Sequence, residues 1–389
     1  MKNIALVCNE YPPCPHGGIG TFTQVVARAL VRKGWKVRVA GSYDVRLNFA
    51  SREDDEGVEV YRLRESEKDR GGIRARYELY KLISGWANRG EVDLIEVPDP
   101  QGWAALWPAL PVPVITRVHG SSSYFARELG KPRSFQSTLA YWLERRQFHR
   151  SDFWCSVSRY SGEKTAQLFG LRNGPDTISF VPVAVPAEIP FESRSTNRVV
   201  YTGTLTPKKG ILSLMKAWPA VRSRCGNAEL HIYGKGDPGM LSRLFQNLDQ
   251  AGKASVTFHG HTTRAELYRQ LQSARAAVFP SYAEAFAFAP LEAMATGCPT
   301  VYSTRTSGAE AVEHGRDGLL IDPDNIEELS DAISALVLDE ELARKLGRFG
   351  RQRVADNFSV DAVVANIEQF YRACCIRFRK SPVTRRVAA

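Results

Sequence analysis

Short β-forming runs alternate with amphipathic helical patterns along the whole chain, and the alternation is played twice. In the first half the runs are IALVC (4–8), VRVA (37–40), VEVYRL (58–63), VDLIEV (92–97), VITRV (114–118) and ISFVPV (178–183). In the second they are RVVYTG (198–203), ELHIY (229–233), SVTFHG (255–260), AAVFP (276–280), PTVY (299–302) and GLLI (318–321). Strands separated by helices build parallel sheets covered on both faces, so each half predicts one doubly wound, Rossmann-like α/β domain. A length of 389 residues also favours two domains over one. The boundary is expected near VPAEIPFESRSTNR (185–198), where Pro, Ser and charge accumulate. Sheets of this kind bind ligands beyond the carboxyl ends of their strands, so a cleft between two of them is the expected site.

Composition narrows the partners. With 43% hydrophobic and 24% charged residues, the chain is an ordinary globular one, and no apolar run approaches the roughly 18 residues of a membrane span. The start, MKNIALVCNEY, reaches Asn9 and Glu10 after one short apolar run, which predicts a first strand rather than a signal peptide. Seven scattered cysteines with no C-x-x-C spacing support neither a disulfide framework nor a zinc site, and fit a reducing, cytoplasmic setting. The formal charge of +10 attracts anionic substrates, lipid headgroups and nucleic acid alike. No nucleic-acid motif occurs, however, and the basic residues are dispersed except in the tail RFRKSPVTRR (377–386), which is expected at the surface. No nucleic-acid partner is expected.

The chemistry concentrates in AAVFPSYAEAFAFAPLEAMATGC (276–298). Glu284 and Glu292 flank the apolar stretch AFAFAPL. Pro290 suits the first turn of a helix and Gly297 its end, which places Glu284 in a loop after a strand and Glu292 in the first helical turn. A helix start offers free N–H groups and partial positive charge to a phosphate, and two carboxylates beside it can accept hydroxyls. The ligand so described carries both phosphate and polyol groups, as a nucleotide sugar does. Taken by spacing alone, the two glutamates are equally well solvated helix-end residues. The stretch EAFAFAPLEAM resembles the E-x7-E segment of retaining glycosyltransferases of family 4, whose pattern is E-G-F-G-L-x-x-L-E-A-M. Ala285 and Ala287 replace two glycines, which keeps the N–H donors but restricts φ.

Other segments support the resemblance. Phe22, Val25, Val26, Ala29 and Leu30 share one helical face, and Gly34 ends that helix, so Gly17, Gly18 and Gly20 lie at a strand-to-helix turn. This turn lacks the G-K-S/T of a Walker loop but resembles the family's N-terminal P-P…G-G-x-G loop, which faces the donor diphosphate and acceptor. The second domain opens with VVYTGTLTPKKG, similar to the family's G-R-L-x-x-x-K-G element. Lys209 matches its lysine, while Thr204 stands at its arginine. Arg264 or Arg305 could supply the missing charge, and the sequence does not choose. HIYGKG (231–236) brings Gly234 into the pattern, and the residue after F-x-G points to His261 as a nucleobase neighbour; by itself His261 is equally a surface histidine. Ser307 and Glu310 read as a capping box. His119, after the strand VITRV, matches the family's active-site histidine, with a role in orienting the donor sugar. Glu10, Tyr11, Glu96 and Asp99 lie on the same rim as candidates for acceptor hydroxyls. Asp322-Pro323-Asp324 matches a metal-binding D-x-D literally, yet Pro and Asp after a strand are ordinary turn residues, so no metal and no cofactor is expected.

The resemblance implies a GT-B fold: two Rossmann-like domains, 1–190 and 196–365, facing a central cleft, with a C-terminal helix (about 366–389) crossing back to the first domain. VDAVVANIEQFYRACC (360–375) supplies that helix, with Val363, Val364, Ile367, Phe370 and Tyr371 on one face. The implied reaction is transfer of a hexose with retention, from UDP-glucose or a similar donor to a glycan or glycolipid hydroxyl in cell-surface polysaccharide synthesis. His119, Lys209 and Glu284 would be catalytic. Gly18, Gly20, Thr204, Lys209, Gly234, His261, Glu284, Phe286, Ala287, Phe288, Ala289 and Glu292 would hold the donor. The rivals are a nucleotide-sugar epimerase of the same fold and a non-catalytic assembly partner. Finally, SFQSTLAYWLERRQFHR (134–150) mixes Phe135, Leu139, Tyr141, Trp142 and Phe148 with Arg145, Arg146 and Arg150. Such a helix suits an anionic membrane surface, at the inner face of the plasma membrane, or packs its apolar face into the first domain.

Overall fold

The structure, a computed structural model, describes residues 2–65, 72–132, 134–246 and 248–380. The first sheet contains β1 (Asn3–Val7), β2 (Lys36–Tyr43), β3 (Arg52–Asp55), β4 (Val58–Arg64), β5 (Leu94–Pro98), β6 (Val114–Val118), β7 (Phe153–Ser156) and β8 (Thr177–Ile178). Their spatial order is β3-β4-β2-β1-β5-β6-β7-β8, parallel except for the β3–β4 pair. The second sheet contains β9 (Arg198–Thr202), β10 (Glu229–Tyr233), β11 (Val256–Gly260), β12 (Ala276–Phe279), β13 (Thr300–Ser303) and β14 (Leu319–Ile321). Its order is β11-β10-β9-β12-β13-β14, and every pair is parallel. Two parallel-sheet α/β units result, as the twofold alternation predicts.

Burial explains why those runs are almost wholly apolar. In the second unit, Val199 and Tyr201 of β9, Leu230 and Ile232 of β10 and Val278 of β12 pack against Leu214 and Trp218 of the helix Ile211–Arg224 and Leu329 and Ile333 of the helix Ile326–Leu338. Fully burying each such side chain contributes about 1.5–3 kcal/mol. Trp218 is wholly enclosed, and its indole N–H donates to Ser255 Oγ at 2.9 Å, so the polar end of the ring is satisfied. In the first unit, Ala5, Val7, Ile95 and Val97 meet Leu79, Ile83 and Trp86 of the helix Ile73–Asn88 and the indoles of Trp103 and Trp107.

The first unit runs to Pro182 and resumes at Val360; the second is Val183–Ser359. The expected boundaries, at 190/196 and 365/366, lie beyond both seams. They shift because Val183 N–H donates to the Phe358 carbonyl at 2.9 Å, tying the start of the second unit to its end. The helix Val360–Lys380 packs in the first unit, burying Val363, Val364, Ile367, Phe370 and Tyr371, while Trp35 Nε1 donates to Glu368 at 3.1 Å and Ser179 meets Asn366 at 2.7 Å. The expected continuation of this helix and the basic tail past Lys380 fall outside the described residues.

Two strands were not anticipated. β3 is the charged run REDD, an antiparallel edge with no apolar signature. β7, FWCS, has four residues and no β-branched side chain, yet every one of them is buried. ISFVPV contributes only Ile178 to the sheet, where it forms β8 with Thr177. No helix among the described residues is long and apolar enough to cross a membrane, and all seven cysteines are buried and unpaired.

Candidate active site

The second unit brings the two glutamates to one helix start. The helix Phe288–Ala295 begins after Ala287, and Gly297, at φ +74°, ends it. Pro290 is its third residue and Glu292 its fifth, so Glu292 sits just past the first turn rather than within it. Ala287 is extended at φ −88°, and Ala285 is not among the residues of positive φ. The two alanines therefore take the place of glycines without backbone strain. Phe286 turns inward against Phe358, ring centres 5.6 Å apart, so its side chain supports the loop rather than lining a ligand. Ala287, Phe288 and Ala289 remain partly open.

Each glutamate has its own cation. Lys209 Nζ lies 2.5 Å from Glu284 Oε1, and Arg264 Nη2 lies 2.6 Å from Glu292 Oε1. Lys209 closes a short turn, Pro207–Lys209, followed by Gly210 at φ +70°. A Cβ at Gly210 would stand 1.7 Å from the Pro280 carbonyl, so only glycine lets the lysine turn approach the loop after β12. Burial raises the Glu292 carboxyl above its ordinary range, opposed by Arg264. Thr204 is exposed on the loop after β9. Gly234 packs against the same loop, where a Cβ would meet the Gly203 carbonyl at 1.9 Å. His261, exposed after β11, opens on a polar pocket of about 360 Å³ shared with Tyr233, His259 and Glu266.

The two arginines that the sequence left as alternatives have different partners. Arg305 is engaged by Asp322 at 2.8 Å and Asp324 at 2.7 Å on the turn after β14. Arg264 reaches the Glu292 carboxylate instead. The D-x-D residues are thus a turn clamped by an arginine, with Asp324 also accepting from the Tyr282 hydroxyl at 2.7 Å. Ser307 makes no cap bond at the helix Gly308–Ala311, so the expected capping box does not form.

The first unit corrects several rim candidates. Glu96 is buried, accepting two 2.8 Å bonds from Arg117 and one of 2.7 Å from the Tyr371 hydroxyl. Both its oxygens serve the core. Tyr11 is also buried and donates to Asp55 at 2.7 Å. Glu10 accepts from Gly17 N–H at 3.1 Å and Gly20 N–H at 2.7 Å, so the glycine turn's donors hold a carboxylate of the chain itself. A Cβ at Gly20 would meet the Glu10 carbonyl at 2.1 Å, whereas Gly18 is exposed.

Asp99 is wholly buried and accepts the His119 N–H at 2.7 Å, while its other oxygen has no hydrogen-bond partner among the described residues. Burial pushes this carboxyl well above its usual range. The His119 ring stands edge-on to Phe22 at 4.8 Å, and burial, reinforced by Arg117, pushes its pKa down to about 3. The imidazole is neutral near pH 7. One supporting residue escaped the sequence reading: Glu144, buried in the helix Phe135–Arg150, accepts from Gln101, Ser122 and Ser123 N–H at 3.1–3.2 Å and pins the loop after His119. Its signal, a carboxylate on an otherwise basic helix, was faint.

Residues 17–183 match the family model described as glycosyl transferase 4-like domain, and residues 196–339 match glycosyl transferases group 1. The chain belongs to the family-4 glycosyltransferases of the GT-B fold. A glycogen synthase from Mycobacterium tuberculosis is 27% identical to this glycosyltransferase over 411 residues, covering 95% of the chain and 94% of the relative. A GDP-mannose-dependent alpha-(1-6)-phosphatidylinositol monomannoside mannosyltransferase of the same organism is 30% identical over 234 residues, 56% of the chain and 60% of the relative. Among solved structures, sucrose-phosphate synthase from Thermosynechococcus elongatus shares the fold at a TM-score of 0.74 and 20% identity, covering 98% of this chain and 100% of that one.

Proposed function

We propose that this glycosyltransferase moves a hexose, with retention, from UDP-glucose or a similar nucleotide sugar to a hydroxyl of a glycan or glycolipid in cell-surface polysaccharide synthesis. The observation that carries the proposal is the pair Glu284 and Glu292 at one helix start, each matched by a cation. Glu292 accepts the ribose hydroxyls, Glu284 a sugar hydroxyl, and Lys209 the diphosphate. The relatives' names support a hexose donor, mannose in the GDP-mannose-dependent mannosyltransferase, and a glycan product, glycogen, in the glycogen synthase.

The anomeric carbon–phosphate bond breaks first in this scheme, and the helix start and Lys209 stabilise the leaving diphosphate. The acceptor oxygen bonds to the same face of the sugar, and its proton passes to the leaving phosphate oxygen. His119, held by Asp99 through its backbone, acts as a neutral hydrogen-bonding group that orients the sugar. The exposed residues Phe135, Leu139 and Trp142 support contact with an anionic membrane, which suits a lipid-linked acceptor.

A thermal-shift screen of nucleotide sugars tests the donor class, since a ligand at 100 times its dissociation constant adds about 2.7 kcal/mol of stability. Incubation of the stabilising donor with glycan acceptors should then yield product of unchanged anomeric configuration. Conversion of the donor without acceptor would identify an epimerase. Binding without turnover would identify the non-catalytic partner that the absent arginine at Thr204 allows.

A further inference from the structure

The donor site has one cation fewer than the pattern it resembles, because Thr204 occupies the arginine position. Resting on the nucleotide-sugar reading above, we propose that Arg264 is the second diphosphate cation, stored on Glu292 in the empty protein and handed to the phosphates when the donor enters. Glu292 is thereby released to accept the ribose hydroxyls.

Four relationships carry this. Arg264 and Glu292 are bonded at 2.6 Å, the arginine side chain 40% exposed and the glutamate 10%, so an incoming anion reaches the cation before the carboxylate. The guanidinium lies 6.0 Å from the ring centre of Phe288, the residue that opens the helix carrying Glu292. It therefore adds its charge to the end of the helix that favours an anion. Arg305, the other candidate, is clamped by Asp322 and Asp324. Lys209 stands to Glu284 as Arg264 stands to Glu292, so both carboxylates are neutralised by groups suited to phosphate. A guanidinium can hold phosphate oxygens through two parallel N–H donors, a geometry that a threonine hydroxyl cannot reproduce. The exchange leaves no buried charge alone: the carboxylate trades its cation for two hydroxyl donors as the cation gains phosphate oxygens.

Calorimetric titration of the full chain with UDP, ADP and GDP, and with uridine, adenosine and guanosine, tests the assignment. The quantity read is the ratio of diphosphate to nucleoside affinity for the base that binds. In Arg264→Gln this ratio should fall by about 10- to 100-fold, the scale of one charge-assisted contact. Arg305→Gln should leave it unchanged, and Thr204→Arg added to Arg264→Gln should restore much of it. An unchanged ratio in folded Arg264→Gln overturns the assignment and leaves the nucleotide-sugar reading standing. A parent protein that binds none of the diphosphates overturns both. Should Arg264→Gln fail to fold, Arg264→Lys decides: loss of the planar fork lowers the ratio several-fold, and an unaltered ratio rejects the role.

Discussion

Lys209 Nζ stands 2.5 Å from Glu284 Oε1, so the carboxylate assigned to the sugar carries a neutralising cation before any ligand arrives. This makes the two glutamates of the segment separable by experiment. Glu284→Ala frees Lys209 without touching the ribose side, so free nucleoside diphosphate should bind as well as before or better. Transfer should fall by about 10- to 100-fold or more, because a sugar hydroxyl loses a charged partner. Glu292→Ala should instead weaken the free diphosphate and the nucleotide sugar alike, by roughly tenfold. Calorimetry on the two variants, paired with turnover, checks both. The opposite pattern would exchange the two assignments.

Asp99 and His119 share a 2.7 Å hydrogen bond and titrate in opposite senses. Burial holds the Asp99 carboxyl well above its usual range, so the folded chain keeps the proton that the unfolded chain releases near pH 3.9. Its effect is to destabilise the fold increasingly as pH rises. His119, pushed down to about 3, acts the other way: its contribution is complete above about pH 6.5 and is lost as pH falls toward 3. Asp99→Asn fixes the first group as neutral and keeps an oxygen for the His119 N–H. The His119 contribution is common to both proteins. The Tm difference, variant minus parent, should therefore grow from pH 5 to pH 8. A constant gap would mean that Asp99 is already ionised in the folded chain.

The alternation of strands and helices was legible because buried parallel strands are rich in apolar residues, as IALVC and AAVFP show. REDD and FWCS were not, since an edge strand needs no apolar face and a four-residue strand has too little pattern to detect. The glutamates at 284 and 292 were legible from local spacing and the helix punctuation of Pro290 and Gly297. The pairing of each with Lys209 or Arg264 was not, because Lys209 is 75 residues from Glu284 in the chain and only folding joins them. Glu96 fails for the same reason. A glutamate at the end of a strand looks alike on a rim or in a core, and here its hydroxyl partner, Tyr371, is 275 residues away.

Asp322 and Asp324 hold Arg305, and Asp322 also accepts the Asp324 N–H at 3.0 Å, so their oxygens already serve the turn. Transfer should persist in excess EDTA, with protein cations neutralising the diphosphate. An activity that collapses and returns with magnesium or manganese would reassign these aspartates to a metal.

The helix Phe135–Arg150 places three of its bulky side chains outward and packs Tyr141 and Phe148 against Phe169. Phe135 is 87% exposed, Leu139 52% and Trp142 47%, at helical spacings of four and three, while Glu144, Gln147 and Phe148 face the interior. Arg146 lies over the Trp142 ring and donates to the Ala105 carbonyl, and Arg145 donates to the Phe169 carbonyl. Arg127 and Lys131, on the segment just before this helix, are also exposed. Such a face suits the headgroup region of an anionic bilayer, at about 1 kcal/mol for each cation near the surface. Sedimentation with vesicles of phosphatidylcholine and phosphatidylglycerol should show binding at low salt that fades at high salt and is absent with phosphatidylcholine alone. Phe135→Ser combined with Trp142→Ser should weaken that binding and leave the melting temperature nearly unchanged, since neither ring is buried. Absence of binding at low salt would remove the membrane from the account and favour a soluble glycan as acceptor.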